Sequence, residues 1–305
     1  AVGFFKPHTP YVAPKKYFDL YEKQEMVIPY TGISQNYLNS IPLPAAKSIR
    51  IKKDQIKLNL KSNDNLSKEI KEAYYATISF MDAQIGRVLD ALEKNGLDKN
   101  TIVVFSSDHG YHLGEHGHWQ KQTLFERSTR VPLIFSGPGI RKGKRSNSPV
   151  ELIDIYPTIM DLTKIQTPEH VVGKSLLPIF NDTNFKIRNS ALTRLNVMQG
   201  GGNGYSIKSE RYRLTKWGEK GELGYELYDH KNDKEELINL AENKKYYKVL
   251  DSLKKEIDKR ITQARLKPKG LGRQLEQRTY VRIKYTPGDI HDIEGKRIFL
   301  KPKDE

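Results

Sequence analysis

Residues 101–108, TIVVFSSD, place an apolar run rich in β-branched side chains directly ahead of a serine–aspartate step. A short run of this kind bounded by turn residues reads as a buried strand. Residues 131–137, VPLIFSG, repeat the pattern. Ahead of both, Ile70, Tyr74, Thr77, Met81, Ile85, Val88 and Leu92 recur at helical spacing over 66–95, and Gly96 supplies a C-terminal stop. A long amphipathic helix feeding a buried strand predicts an α/β sheet with helices on its faces. In such a sheet ligands gather beyond the carboxyl ends of the strands, which is where Asp108 and His109 fall.

From that strand end the chain runs on as SSDHGYHLGEHGHWQK, residues 106–121, dense in ligand-type side chains. A carboxylate beside an imidazole can complete a metal site, and Gly110, Gly114 and Gly117 let the backbone turn sharply around it. His112 to His116 also spells the H-x-x-E-H pattern of some zinc peptidases. That chemistry needs a helix, and the three glycines oppose one at about 1 kcal/mol each relative to alanine. Hydrogen bonding and loop packing are therefore expected of His112, His116 and His118. Arg130, ahead of the second strand, reads as an anchor for the loop.

Further out, AVGFF at 1–5 reads as the end of a buried strand, leading into the loop KPHTPYVAP. Residues 15–65 read as a long surface excursion. Residues 150–164 predict a helix bent or started at Pro157. From about 196 the text alternates apolar and polar after a glycine cluster, and YELYDH adds a second short run, predicting a small antiparallel sheet. A basic amphipathic helix is expected at 243–265, and two strands around a Pro-Gly turn near the end. The organisation implied is 1–195 as one unit and 196–305 as a C-terminal subdomain with a basic tail.

The 305 residues carry a formal charge of +15, a field that attracts polyanions. The absence of cysteine excludes disulfides, thiolate metal sites and a cysteine nucleophile within these residues. No apolar run reaches the length of about 18 residues needed to cross a membrane.

At this point S-D-H-G-x-x-L-G-E-H-G-x-W-x-K, followed by R-V-P-L-I-F, resembles the second half of the type I, formylglycine-dependent sulfatases, in the iduronate-2-sulfatase-like branch. AVGFFKPHTPY resembles that branch's G-x-x-K-P-H-x-P segment, and ELYDHKND followed by the E-x-x-N-L-A pattern (226–241) resembles the usual sulfatase C-terminal stretch. The resemblance implies the C-terminal portion of an alkaline-phosphatase-like sheet sandwiched by helices, followed by the small antiparallel subdomain. It implies Asp108 and His109 as ligands of a calcium ion, Lys121 as the lysine that contacts the sulfate, and His8 as the histidine beside the scissile ester. Lys6 would join the substrate, and Tyr111 and Trp119 could form an apolar wall for a sugar ring.

The family's nucleophile is a formylglycine made from C-x-P-S-R or a serine counterpart, and neither pattern occurs in this chain. The nucleophile and the remaining metal ligands are expected in a preceding N-terminal half, so the isolated chain is expected to be inactive. The implied activity is sulfuric ester hydrolysis on a sulfated carbohydrate, with no nucleic acid partner. A phosphatase or phosphonate hydrolase of the same superfamily, and a non-catalytic polyanion-binding protein, are the alternatives. Export to a periplasmic, secreted or lysosomal setting follows from the family alone.

Overall fold

The computed structural model describes residues 1–29, 35–49, 64–197 and 202–266. Its long helix runs Asp64–Lys94, where the apolar spacing predicts it, and Gly96 ends it in the left-handed region at φ 67°. The segment ahead of it starts with α1 (Lys15–Phe18) and later forms α2 (Gln35–Ser40) and α3 (Leu43–Ser48); the long helix is α4. Aromatic contacts hold residues 11–21 along α4: Tyr17 lies against Phe80 with centroids 5.3 Å apart, and the Tyr21 hydroxyl meets Ser79 Oγ at 2.5 Å.

The expectation of a surface excursion over 15–65 is corrected in its middle. Ile41, Ala45 and Ile49 are buried in a core with Leu124, Phe125, Trp217 and Tyr228. Pro42, Pro44 and the alanines start and fill the short helix α3, and its burial comes from docking that no local pattern encodes. AVGFF is also corrected. It forms no strand, and Val2 and Phe5 are 63% and 67% exposed, because no neighbouring strand pairs with it among the described residues.

Both predicted sheet strands are present, as β1 (Val103–Ser106) and β4 (Leu133–Ser136). They pair antiparallel, Val103 opposite Ser136 and Ser106 opposite Leu133, so the ladder stops two residues short of Asp108. Between them lie the hairpin strands β2 (His112–Leu113) and β3 (Trp119–Gln120) and the short helix α5 (Glu126–Thr129). The 150–164 prediction resolves into a 3-10 turn, Leu152–Asp154, and α6 (Ile155–Leu162), with Pro157 in the first turn, where it needs no hydrogen-bonded N–H. A further helix, α7, spans Leu177–Asn181.

The antiparallel sheet has the order β5-β6-β7-β8, with β5 at Ala191–Val197, β6 at Gly202–Lys208, β7 at Tyr212–Trp217 and β8 at Tyr225–Asp229. The basic helix is α8 (Tyr247–Arg265), whose Leu250, Ile257 and Ile261 pack on Tyr205, Ile207, Leu214 and Leu227 of the sheet. Buried Asp154 receives both Arg188 guanidinium nitrogens and the amides of Glu151 and Lys174, joining the start of α6 to the chain entering β5. Among the described residues no helix is long and apolar enough to cross a membrane. The strands predicted at the end lie outside the described residues.

Candidate active site

The loop after β1 is shaped by Gly110, whose amide donates to Ser128 O at 2.8 Å. A Cβ there would lie 2.1 Å from Arg127 O, so only glycine lets the loop lie against α5. Within it, Asp108 is 86% exposed at its side chain. His109 donates Nδ1–H to Gly110 O at 2.8 Å, leaving Nε2 3.5 Å from Asp108 Oδ2. A ring nitrogen anchored on a carbonyl frees the other lone pair, the usual arrangement of a metal-binding histidine. The pair fits one side of a metal site and supplies too few ligands to close one.

The hairpin carries Lys121 one residue beyond the His112–Gln120 pair that ends its ladder. The Lys121 side chain is half-buried, and its ammonium has no carboxylate partner among the described residues. His8 is exposed and its Nδ1–H donates to Thr9 O at 2.8 Å, which leaves Nε2 as the atom that can exchange a proton outward. The Lys6 ammonium donates to Pro10 O and closes the loop around His8.

Tyr111 and Tyr11 share a 2.6 Å hydrogen bond, which brings the His8 loop and the Asp108 loop together. Trp119 is only 6% exposed and packs over Gly114, so it offers a sugar ring little surface and acts in the hairpin's own core. Arg130 is 79% exposed at its side chain and lies 3.8 Å from Glu126.

The other three histidines of residues 106–121, His112, His116 and His118, are buried. His112 Nε2 lies 2.9 Å from Thr123 Oγ1, the Tyr37 hydroxyl meets His116 Nδ1 at 2.7 Å, and the His116 ring stacks on Phe125 at 4.1 Å. With Glu115–Gly117 a 3-10 turn and His112 in a strand, the two ends of H-x-x-E-H do not share a helical face. Burial pushes the His116 imidazole down to about 4, against the pull of Glu236, Glu235 and Asp233, and burial also pushes His112 well down.

A histidine neutral in the fold and ordinary when unfolded stabilises fully above its unfolded value, near 6.5, and loses that contribution as the pH falls toward the folded value. Replacing His116 with asparagine, which tolerates its φ of 54°, removes that dependence. The stability difference between the protein and His116→Asn should shrink by about 2 kcal/mol from pH 7 to pH 5. Urea titrations at both pH values read it, and an unchanged gap contradicts the buried neutral imidazole.

A second cluster escaped sequence reasoning. Glu126, His230 and Glu236 bring ligand atoms within 4.8 Å of one another. Arg213 occupies it: its Nε donates to Glu236 Oε1 at 2.5 Å, and its other nitrogens reach Glu126, Ser206 Oγ and Thr129 Oγ1. His230 Nε2 adds a 2.8 Å contact to Glu236. A guanidinium between the carboxylates supplies the charge a cation would, so the cluster fits an ion-pair network and not a metal cage. Burial alone would push the Glu236 carboxyl up, yet Arg213 and His230 hold it at about 2. Glu236 also accepts the Glu126 amide at 2.7 Å, fixing the start of α5 a few residues after Lys121.

Among the described residues, the loop after β1 presents an exposed carboxylate–imidazole pair, the hairpin carries a lysine with no carboxylate partner, and the loop at 6–10 carries a histidine anchored through Nδ1. The chain belongs to the sulfatase family, whose pattern matches residues 2–165. The family described as N-sulphoglucosamine sulphohydrolase, C-terminal, matches residues 114–263. A sulfatase of Formosa agariphila is 37% identical over 254 residues, covering 83% of this chain and 48% of that protein. Human iduronate 2-sulfatase is 31% identical over 55% of this chain and 36% of its own length. A solved 2-O GAG sulfatase superposes with a TM-score of 0.67 at 25% identity, over 82% of this chain and 57% of that one. The fold is that of the alkaline-phosphatase-like sulfatases, and the chain spans about half the length of the curated relatives it matches.

Proposed function

We propose that this chain supplies the C-terminal part of a sulfuric ester hydrolase acting on a sulfated carbohydrate. The observation that carries the reading is the family match over residues 2–165, within which His8, Asp108, His109 and Lys121 all fall. In this reading residues 1–195 complete the catalytic α/β unit and 196–305 form a subdomain that braces it. A preceding half of the same protein brings the nucleophile and the other metal ligands, and covers apolar surface exposed here, such as Val2, Phe5, Val88 and Ile134. The net charge of +15 favours a polyanionic glycan, and the family's setting favours an exported protein.

Asp108 and His109 hold the metal, which is calcium in this reading because a hard carboxylate oxygen suits it; calcium takes roughly six to eight ligands, most of them oxygen. When bound, it offsets the negative charge of the sulfate oxygens. Lys121 places a compact positive charge beside the same group. His8 donates a proton from Nε2 to the departing alcohol oxygen, with Nδ1 held by Thr9 O.

The complete protein, assayed by ion chromatography, should release sulfate from sulfated saccharides and act far more slowly on the matching phosphate esters. A preference for phosphate esters would replace this reading with phosphoryl chemistry. His8→Ala should lower the rate on sugar sulfates at least about tenfold more than on aryl sulfates, whose phenolate leaves with little protonation. Equal losses on both would mean that His8 only positions the ester.

A further inference from the structure

The Tyr11–Tyr111 hydrogen bond joins two loops about one hundred residues apart in the chain, one carrying His8 and the other Asp108 and His109. The bond is short, 2.6 Å, and Tyr74 of α4 supports both rings from one side. The Tyr74 ring stacks on Tyr111 at 5.1 Å and 26°, and meets Tyr11 edge-on at 5.6 Å and 84°. Each partner lies close to a site residue: Tyr11 is three residues after His8, and Tyr111 is two after His109. Little slack separates them. The His8 loop is closed by His8 N–H on Phe5 O, by Lys6 on Pro10 O and by Val12 N–H on Pro10 O. The other side is held by Gly110 N–H on Ser128 O.

We infer that Tyr11 and Tyr111 are positioning residues that set the proton-donating His8 against the Asp108–His109 loop, using Tyr74 as their common support. The inference rests on the sulfatase reading and adds to it the element that registers leaving-group protonation with sulfate binding. Two phenols, unlike a salt bridge, keep this coupling insensitive to ionic strength. Losing either hydroxyl leaves both rings packed on Tyr74 and removes only the tie between the loops, which frees His8 to sample positions unproductive for proton transfer.

The test uses Tyr11→Phe, Tyr111→Phe and the double variant in the complete protein, each assayed on a sugar sulfate and on an aryl sulfate. The expected result is a loss in kcat/KM at least about five times larger on the sugar sulfate, with the double variant no worse than either single. Equal losses on both esters, or losses that multiply in the double variant, overturn the inference. A structural role alone would lower stability without changing the ratio between esters, so thermal midpoints are read alongside.

A second readout needs no turnover. In the substrate-free protein the NMR resonance of the His8 ring should shift or broaden in Tyr111→Phe as it does in Tyr11→Phe. A His8 signal unmoved in Tyr111→Phe overturns the coupling. If the parent protein hydrolyses no sulfate ester, the functional reading falls while the His8 signal still decides the inference.

Discussion

Glu236→Ala should lower the stability of the protein by roughly 3–5 kcal/mol, the scale of leaving one member of a buried ion pair behind. Glu236 and Arg213 are 1% and 2% exposed, so the guanidinium left without this partner cannot rehydrate. The Glu126 amide loses its acceptor in the same step. Glu236→Gln should not rescue much, because an amide NH2 would face donors from Arg213, His230 or Glu126. Replacing Glu236 and Arg213 together by glutamine and methionine should recover part of the loss, since no unpaired guanidinium stays buried and Glu126, which loses Arg213, keeps Arg130 at 3.8 Å and some contact with solvent. Urea unfolding of the single and double variants measures this. A loss under about 1 kcal/mol for Glu236→Ala would show that the network contributes nothing beyond a surface pair.

Lys121→Ala in the complete protein should lower kcat/KM for a sulfated substrate by at least about 100-fold, the usual scale of a lost preorganised charge contact. No carboxylate among the described residues neutralises this ammonium, so its charge is available to the ester. Lys121→Arg should recover only part of the rate, because a planar fork replaces a point charge at a half-buried position. Steady-state kinetics decides it. Activity within a factor of three of the parent would remove Lys121 from the site.

Much of the fold is legible because its signals are local. The spacing from Ile70 to Leu92 specifies α4, the β-branched runs specify β1 and β4, and alternation after the glycine cluster specifies β6 and β7. Where burial depends on a distant partner, the local pattern misleads. AVGFF has a strand's composition, yet a strand exists only where a neighbour pairs with it, and Val2 and Phe5 stay exposed. Ile41, Ala45 and Ile49 sit in Pro-rich text with no long period, and they become core only against Leu124 and Trp217.

The residues proposed for the site divide along the same line. Asp108, His109 and Lys121 are readable as a pattern beside a strand end. The inward turn of Trp119 is not, since an aromatic in a glycine-rich loop has the same composition on either side of it. Glu236 was within reach only as one letter of a longer motif; a carboxylate that deep makes sense once Arg213 is placed beside it.

The acceptor that Glu236 offers to the Glu126 amide also bears on how the molecule opens. The donor belongs to the segment that follows Lys121, while the acceptor and Arg213 belong to the C-terminal strands and the turn after them. That amide can reach solvent deuterium only when the two separate, so its exchange should follow the slow rate of the β7 amides and not the faster rate of a surface loop. The hairpin that carries Lys121 and the C-terminal sheet would then melt as one cooperative unit, and a proteolytic cut after β8 would release Lys121 from its setting without touching it.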